Sequence, residues 1–215
     1  YMLGERNDKS ATAFVQQSLS DKSSKVKKAA IWVLVKLDEQ VATKELLSNL
    51  SKGNESAETE KALNTLLNEK SLDQVASLLD NASNVGKAGL IHLIAAKSGQ
   101  RFFQKIYNYT ANSDSIISGA AISALKNISS KTDVNALLQL LAKTEDPSTL
   151  AEVQWAIVQA LSEVSNPDSA SAPILNALQT STQKEKIVPV LSAIGGKQSL
   201  KAVAALYESS TGDLK

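Results

Sequence analysis

Few side chains in this sequence could do chemistry, and they are widely scattered. His92 is the one histidine, set in Leu90-Ile91-His92-Leu93-Ile94. A general base needs a positioned carboxylate or nucleophile within hydrogen-bond reach, and no residue near His92 in sequence supplies one. One histidine without any cysteine leaves a zinc site short of donors, so neither metal nor cofactor is expected. Glu58 with Glu60, and Glu152 with Glu163, do not form an evident pair of catalytic carboxylates flanking a bond. Gly195-Gly196 reads as a break after a helix; it lacks the further glycines, the lysine and the strand of a phosphate loop. No nucleophile elbow or dinucleotide fingerprint is present. The expectation is a chain that is not an enzyme.

Residues suited to contact rather than catalysis are easier to find. Phe102, Phe103, Tyr107 and Tyr109 bring four of the nine aromatic residues into one short stretch. At helical spacing they cover more than one face: one fills the core, and another could stack on a sugar, a base or a protein. Core filling is the expectation, with Arg101 and Lys105 as solvated charges. Lys22, Lys25, Lys27, Lys28 and Lys36 make the first part of the chain locally basic, which could meet an acidic partner or phosphates. Serines interrupt the run and Asp38-Glu39 follows it, so a solvated helix face is the expected role.

Composition narrows the class. Lys and Arg total 23 against 22 Asp and Glu, a net charge of +1, far from the basic excess with which proteins grip bare nucleic acid. Nucleic acid is therefore disfavoured as a partner. The absence of cysteine removes disulfides and thiol catalysis. No apolar run approaches the roughly 20 residues needed to span a bilayer. The chain opens on Tyr-Met-Leu, and is expected to be processed or excised from something longer.

The elements that must carry these residues are helices. Glycine and proline are scarce, the alternation of strands is missing, and apolar residues recur at helical spacing. Expected helices are 11–20 (Phe14, Val15 and Leu19 on one face), 25–37, 41–50, 56–67, 72–79, 85–96, 101–109, 116–128, 134–141, 150–164, 172–178, 184–194 and 198–207, with 211–215 starting another. The helix over 25–37 carries Val26, Ala29, Ala30, Val33, Leu34 and Leu37 as its apolar stripe, and Asp21–Ser24 offers N-cap oxygens for its free amides. Aligning every second helix on its closing leucine yields Leu34, Leu63, Leu93, Leu125, Leu161 and Leu191. Their spacings are 29, 30, 32, 36 and 30 residues, the range of helical repeat arrays. The units are 11–37, 41–67, 71–97, 100–128, 131–164, 168–194 and a partial 196–215. The expected fold is all-α, a right-handed α-α superhelix of about six to seven antiparallel helix pairs, forming one array over 1–215. The best-preserved unit is 135–164, where a turn with Asp146-Pro147 precedes the second helix.

These residues resemble a known family. Asp21-x4-Val26-x2-Ala29-Ala30-x3-Leu34 is similar to the second helix of a HEAT or HEAT-like (armadillo-type) repeat, as are Asp146-Pro147 before Leu161 and Asp114 before Ala120-Ala121 and Leu125. Ala172-Pro173-Ile174-Leu175-x2-Leu178 is similar to that repeat's proline-bearing first helix. The basic residue usual after the Val is Lys27 in the first unit but Ser118 and Gln154 later, and units two and three match least well. In the resembled family the second helices line the concave side. Carrying that over puts Trp32, Lys61, Ile91, Ser123, Gln159 and Pro189 in one outward row, and Lys28, Ala57, Lys87, Gly119, Trp155 and Glu185 in the adjacent one. His92 matches Val33, Ala62, Ala124, Ala160 and Val190, all apolar, and is expected partly buried with a hydrogen-bond partner. Pro189 is expected to kink or shorten its helix.

The resemblance implies a scaffold that binds a protein partner, or an adjacent domain of the same chain, with Trp32, Trp155, Lys28, Lys87 and Gln159 as candidate contacts. Two other readings stand beside it. The Ser/Asn/Lys-rich character resembles repeat segments of bacterial exported multidomain proteins, some adjoining sugar-hydrolase-like domains, which implies the periplasm or cell surface. HEAT-like DNA-repair glycosylases use a basic groove with aromatics and a carboxylate, a reading that the near-neutral charge opposes.

Overall fold

The structure is a computed structural model describing residues 8–209. Thirteen α-helices and six short 3-10 turns account for its regular elements, with no strand among the described residues. The helices are α1 (Thr12–Ser18), α2 (Ser24–Leu37), α3 (Glu39–Ser51), α4 (Ser56–Leu66), α5 (Leu72–Leu78), α6 (Asn84–Ala96), α7 (Phe103–Asn108), α8 (Ser115–Ile128), α9 (Val134–Lys143), α10 (Pro147–Leu161), α11 (Pro167–Thr180), α12 (Lys184–Ile194) and α13 (Lys197–Ser209). Every helix expected from periodicity is present. The expected start of a further helix at 211–215 lies outside the described residues.

The chain forms two compact units, Tyr1–Ala124 and Leu125–Lys215. In the first, α1 packs on α2, α3 on α4 and α5 on α6; the second helices also stack in order, α2 on α4 and α4 on α6. In the second, α9 packs on α10 and α11 on α12, while α10 stacks on α12. Partners joined by a short turn run antiparallel, so each unit is a solenoid-like stack of helical hairpins. The closing leucines sit where the alignment requires: Leu34, Leu63, Leu125 and Leu191 are fully buried, and Leu93 and Leu161 nearly so.

Helix boundaries follow local chemistry. Asp38 accepts from the amides of Gln40 and Val41, and Asp146 from that of Thr149, each satisfying an orphan donor of the first turn. Pro147 sits at the start of α10, where its missing N–H costs nothing; α10 therefore begins three residues earlier than periodicity alone predicts. Asp21 differs from expectation. Its carboxylate accepts from Ser23, two residues on, and so shapes the turn instead of capping the helix.

Several expectations differ from the structure, two of them because apolar residues at the edge of a stripe face solvent. Phe14 is 65% exposed, while Val15 and Leu19 are buried. Val26 is exposed too, and Ile31, absent from the expected stripe, is buried in its place. Ile91, placed in the outward row, is fully buried, and the exposed position beside it is His92. Helix α6 is apolar almost all round and packs against α3, α4 and α5, so its composition does not mark one inward face. Helix α12 is continuous through Pro189 and keeps its expected bounds, so the proline does not shorten it.

Two glycines let α6 come close. A Cβ at Gly86 would fall on the carbonyl oxygens of Leu50 and Ser51 at the end of α3. One at Gly89 would lie 2.6 Å from Leu50 Cδ1 and 2.8 Å from Glu60 Oε1. Glu60 Oε1 thus occupies space that a side chain at position 89 would need.

Candidate partner-binding face

Helices α2 and α6 of the first unit hold the candidate residues there, and α4, which packs on both, carries acidic residues that sequence reasoning did not assign. Trp32 is half-buried, and its indole N–H donates to Glu58 Oε1 on α4. Tryptophan combines large apolar area with one donor; here the donor is committed within the unit. Lys28 is exposed, 4.0 Å from Glu55 Oε2, while Lys27 makes the shorter 2.9 Å pair to Glu55 Oε1. Ser24 donates to the same carboxylate. Lys87 is half-buried on α6.

Glu55 immediately precedes α4 with a left-handed backbone, φ 43°, a conformation unfavourable for a residue with a Cβ. Its contacts with Lys27, Ser24 and Lys28 tie it back to α2. The hydrogen bond from Lys27, assisted by Ser24 and by both lysine charges, holds its carboxyl below the usual carboxylate range. Part of the basic character of the first repeat is thus already neutralised within the unit.

His92 corrects an expectation. It is exposed rather than partly buried, and Nδ1 lies 3.2 Å from Glu60 Oε2. The expected hydrogen-bond partner exists, but it is a carboxylate one repeat earlier in the chain. Local sequence could not reveal it. The signal that could is the repeat length: Trp32–Glu58, Lys27–Glu55 and Glu60–His92 are separated by 26, 28 and 32 residues. Donors and acceptors one repeat apart meet across stacked second helices.

The aromatic stretch is also tied to its neighbour. Phe103 is buried and stacks with Tyr107, ring centroids 5.6 Å apart. None of the four rings is in an exposed residue, which accords with core filling. Arg101 and Lys105 are not simply solvated. The Arg101 guanidinium lies 3.1 Å from Asp73 Oδ2 and 4.7 Å from the Phe102 ring centre. Lys105 donates to Asp80 Oδ2 at 3.0 Å and to the Ala76 carbonyl at 3.1 Å. Tyr109 donates to the other Asp80 oxygen at 3.1 Å. Burial, reinforced by the Asp80 carboxylate, pushes the Tyr109 phenol up to about 12. The Lys105 and Tyr109 hydrogen bonds in turn lower the Asp80 carboxyl.

In the second unit, Trp155 on α10 is 51% exposed. Gln159, one turn further along α10, is half-buried. On the neighbouring α12, Glu185 and Pro189 occupy the equivalent repeat positions and are exposed. The two candidate tryptophans therefore differ: one is half-buried with its N–H satisfied, the other presents much of its ring to solvent. Among the described residues no group of three or more His, Asp or Glu could hold a metal, and no helix is long and apolar enough to cross a membrane.

Residues 1–67 match the family model described as HEAT repeats. The matched stretch contains α1 to α4, including the Asp21 to Leu34 pattern and the Leu63 anchor. No curated protein matches the chain.

Proposed function

We propose, from the match of residues 1–67 to HEAT repeats and the stacked helical hairpins found in both units, that this chain is a non-catalytic scaffold binding a protein partner or a neighbouring domain of its own polypeptide. HEAT repeats typically serve protein interaction, and the reading locates contact on the side lined by the second helices, the concave side in such repeats. Trp32, Lys28, Lys87, Trp155 and Gln159 are its contact residues. The observation that carries it is Trp155: an indole 51% exposed on a second helix, one turn from the half-buried Gln159. Exposed tryptophans in such settings are frequent interface anchors, and truncating one commonly costs ~2 kcal/mol or more of binding. Trp32 contributes ring area, its donor being used by Glu58.

The test places a photo-crosslinking side chain at position 155 and, as a control, at the exposed Asn135 on α9. A defined adduct formed from position 155 alone, and lost when Gln159 is changed to alanine, is expected. Equal adducts from both positions would sink the proposed face. Nucleic acid is tested separately by fluorescence anisotropy at low salt, where no binding is expected.

A further inference from the structure

Within the second unit, α9, α11 and α12 line a half-open cavity of about 260 Å³. Leu138, Leu141 and Ala142 of α9, Ala177 of α11 and Ile187 of α12 supply apolar wall, and Lys186 lines the same space. That volume is near the lower end for small-molecule sites, which combine mostly apolar walls with a few placed polar groups; here Gln139, Thr180, Ser181 and Gln183 line the space beside Lys186. Lys186 is only 7% exposed. A buried ammonium needs acceptors, and it finds them at the end of α9. It donates to the Thr144 carbonyl at 2.8 Å and to Glu145 Oε1 at 2.9 Å.

An ammonium has three protons, and the third is poorly held. Its remaining acceptor, the carbonyl of Ala142, is 3.5 Å away, and Ala142 is itself a wall residue of the cavity. The one carboxylate on this ammonium comes from Glu145, whose side chain is 78% exposed and so pairs from the solvent side. The cavity thus holds apolar surface sized for a short hydrocarbon chain, and a cation with one loosely used donor beside that surface.

We propose that this cavity binds a free aliphatic carboxylate, its chain against Leu138, Leu141 and Ile187 and its carboxylate on the Lys186 ammonium. The charge of Lys186 selects an acid over an alcohol or hydrocarbon, and Glu145 competes with the ligand for that charge. None of the residues proposed for partner contact lines this cavity.

The probe is octanoate, titrated into the full chain by calorimetry and followed by amide NMR. Saturable one-to-one binding is expected, with shifts at Ala142, Ala177 and Lys186. Octanol, which lacks the charge, should bind about tenfold more weakly, the size of one charge-assisted hydrogen bond. Ala177→Leu fills the cavity and keeps Lys186; it should abolish binding while leaving the circular dichroism spectrum unchanged. Glu145→Gln removes the competitor and should tighten binding. Absence of saturable binding, equal affinity for octanol, or unchanged affinity in Ala177→Leu would each overturn the proposal. So would recognition of a leucine-terminated peptide when octanoate is silent.

Discussion

Several side-chain contacts here are made across repeats, and one of them has a definite pH signature. In the folded chain the Tyr109 phenol is held near 12, against an ordinary value of about 10. Its proton is bound more tightly in the folded state. The associated stability is fully present below about pH 10 and is lost as pH rises toward 12, when a phenolate would face the Asp80 carboxylate. Asp80 works in the opposite sense: its lowered carboxyl contributes above the ordinary carboxylate range and loses that contribution as pH falls through the folded value. Thermal melts of wild type and Tyr109→Phe between pH 9 and 12 check the first point. The wild type should lose melting temperature more steeply, and parallel curves would contradict it. At Gly86 the constraint is steric. Gly86→Ala drives a methyl group into the α3 carbonyls and should destabilise by ~1–3 kcal/mol, read by denaturant unfolding.

Among the helices, α10 best shows how an element is specified and what it supports. Asp146 caps it, Pro147 starts it, and Val153, Ala156, Ile157, Ala160 and Leu161 form its buried stripe. The hydrogen bond from the Thr149 amide holds the Asp146 carboxyl below its usual value. The cap is therefore present above the ordinary carboxylate range and weakens as pH falls through the folded value. Asp146→Ala should lower the melting temperature at neutral pH, and the difference from wild type should shrink in acid. Leu161→Ala removes a packing anchor and should cost roughly 2–5 kcal/mol by lost transfer energy and a cavity. Hydrogen exchange of that variant should show α9, α10 and α12 losing protection, since α10 packs on both neighbours. Unchanged unfolding would mean that Leu161 is not an anchor. Helix α6 marks the limit of pattern reading. With apolar residues on nearly every side, it offered no contrast from which to tell that Ile91 is inside and His92 outside.

For the molecule as a whole, stability of this kind is expected to come from nearest-neighbour interfaces between stacked hairpins. The acidic residues Glu55, Glu58, Glu60, Asp73 and Asp80 each take a partner from the adjacent repeat. These contacts use up donors and charges that sequence reading had left available on the surface, including those of Trp32, Lys27, Arg101 and Lys105. What remains outward is sparser, and it concentrates the partner-binding proposal on Trp155. Trp155→Ala should leave the melting temperature nearly unchanged, because a half-exposed ring contributes little to the core, while reducing crosslinking by a probe at position 159. A large fall in stability would instead make Trp155 a packing residue.

Apolar periodicity near 3.6 residues, scarce glycine and proline, and leucines recurring about every 30 positions were enough to specify an all-α chain, its helices and the six anchors. Those features are local or strictly periodic, so they are visible in one dimension. The tertiary structure decided which edge residues face out, as at Phe14, Val26 and the Ile91–His92 step, because exposure depends on which neighbours cover each helix. It also decided the partners of Trp32, His92 and Lys186, since each lies a repeat or more away along the chain. Lys186 is the clearest case: an unremarkable lysine in Lys184-Glu185-Lys186 becomes a buried cation beside an apolar cavity only when α12 packs against the end of α9.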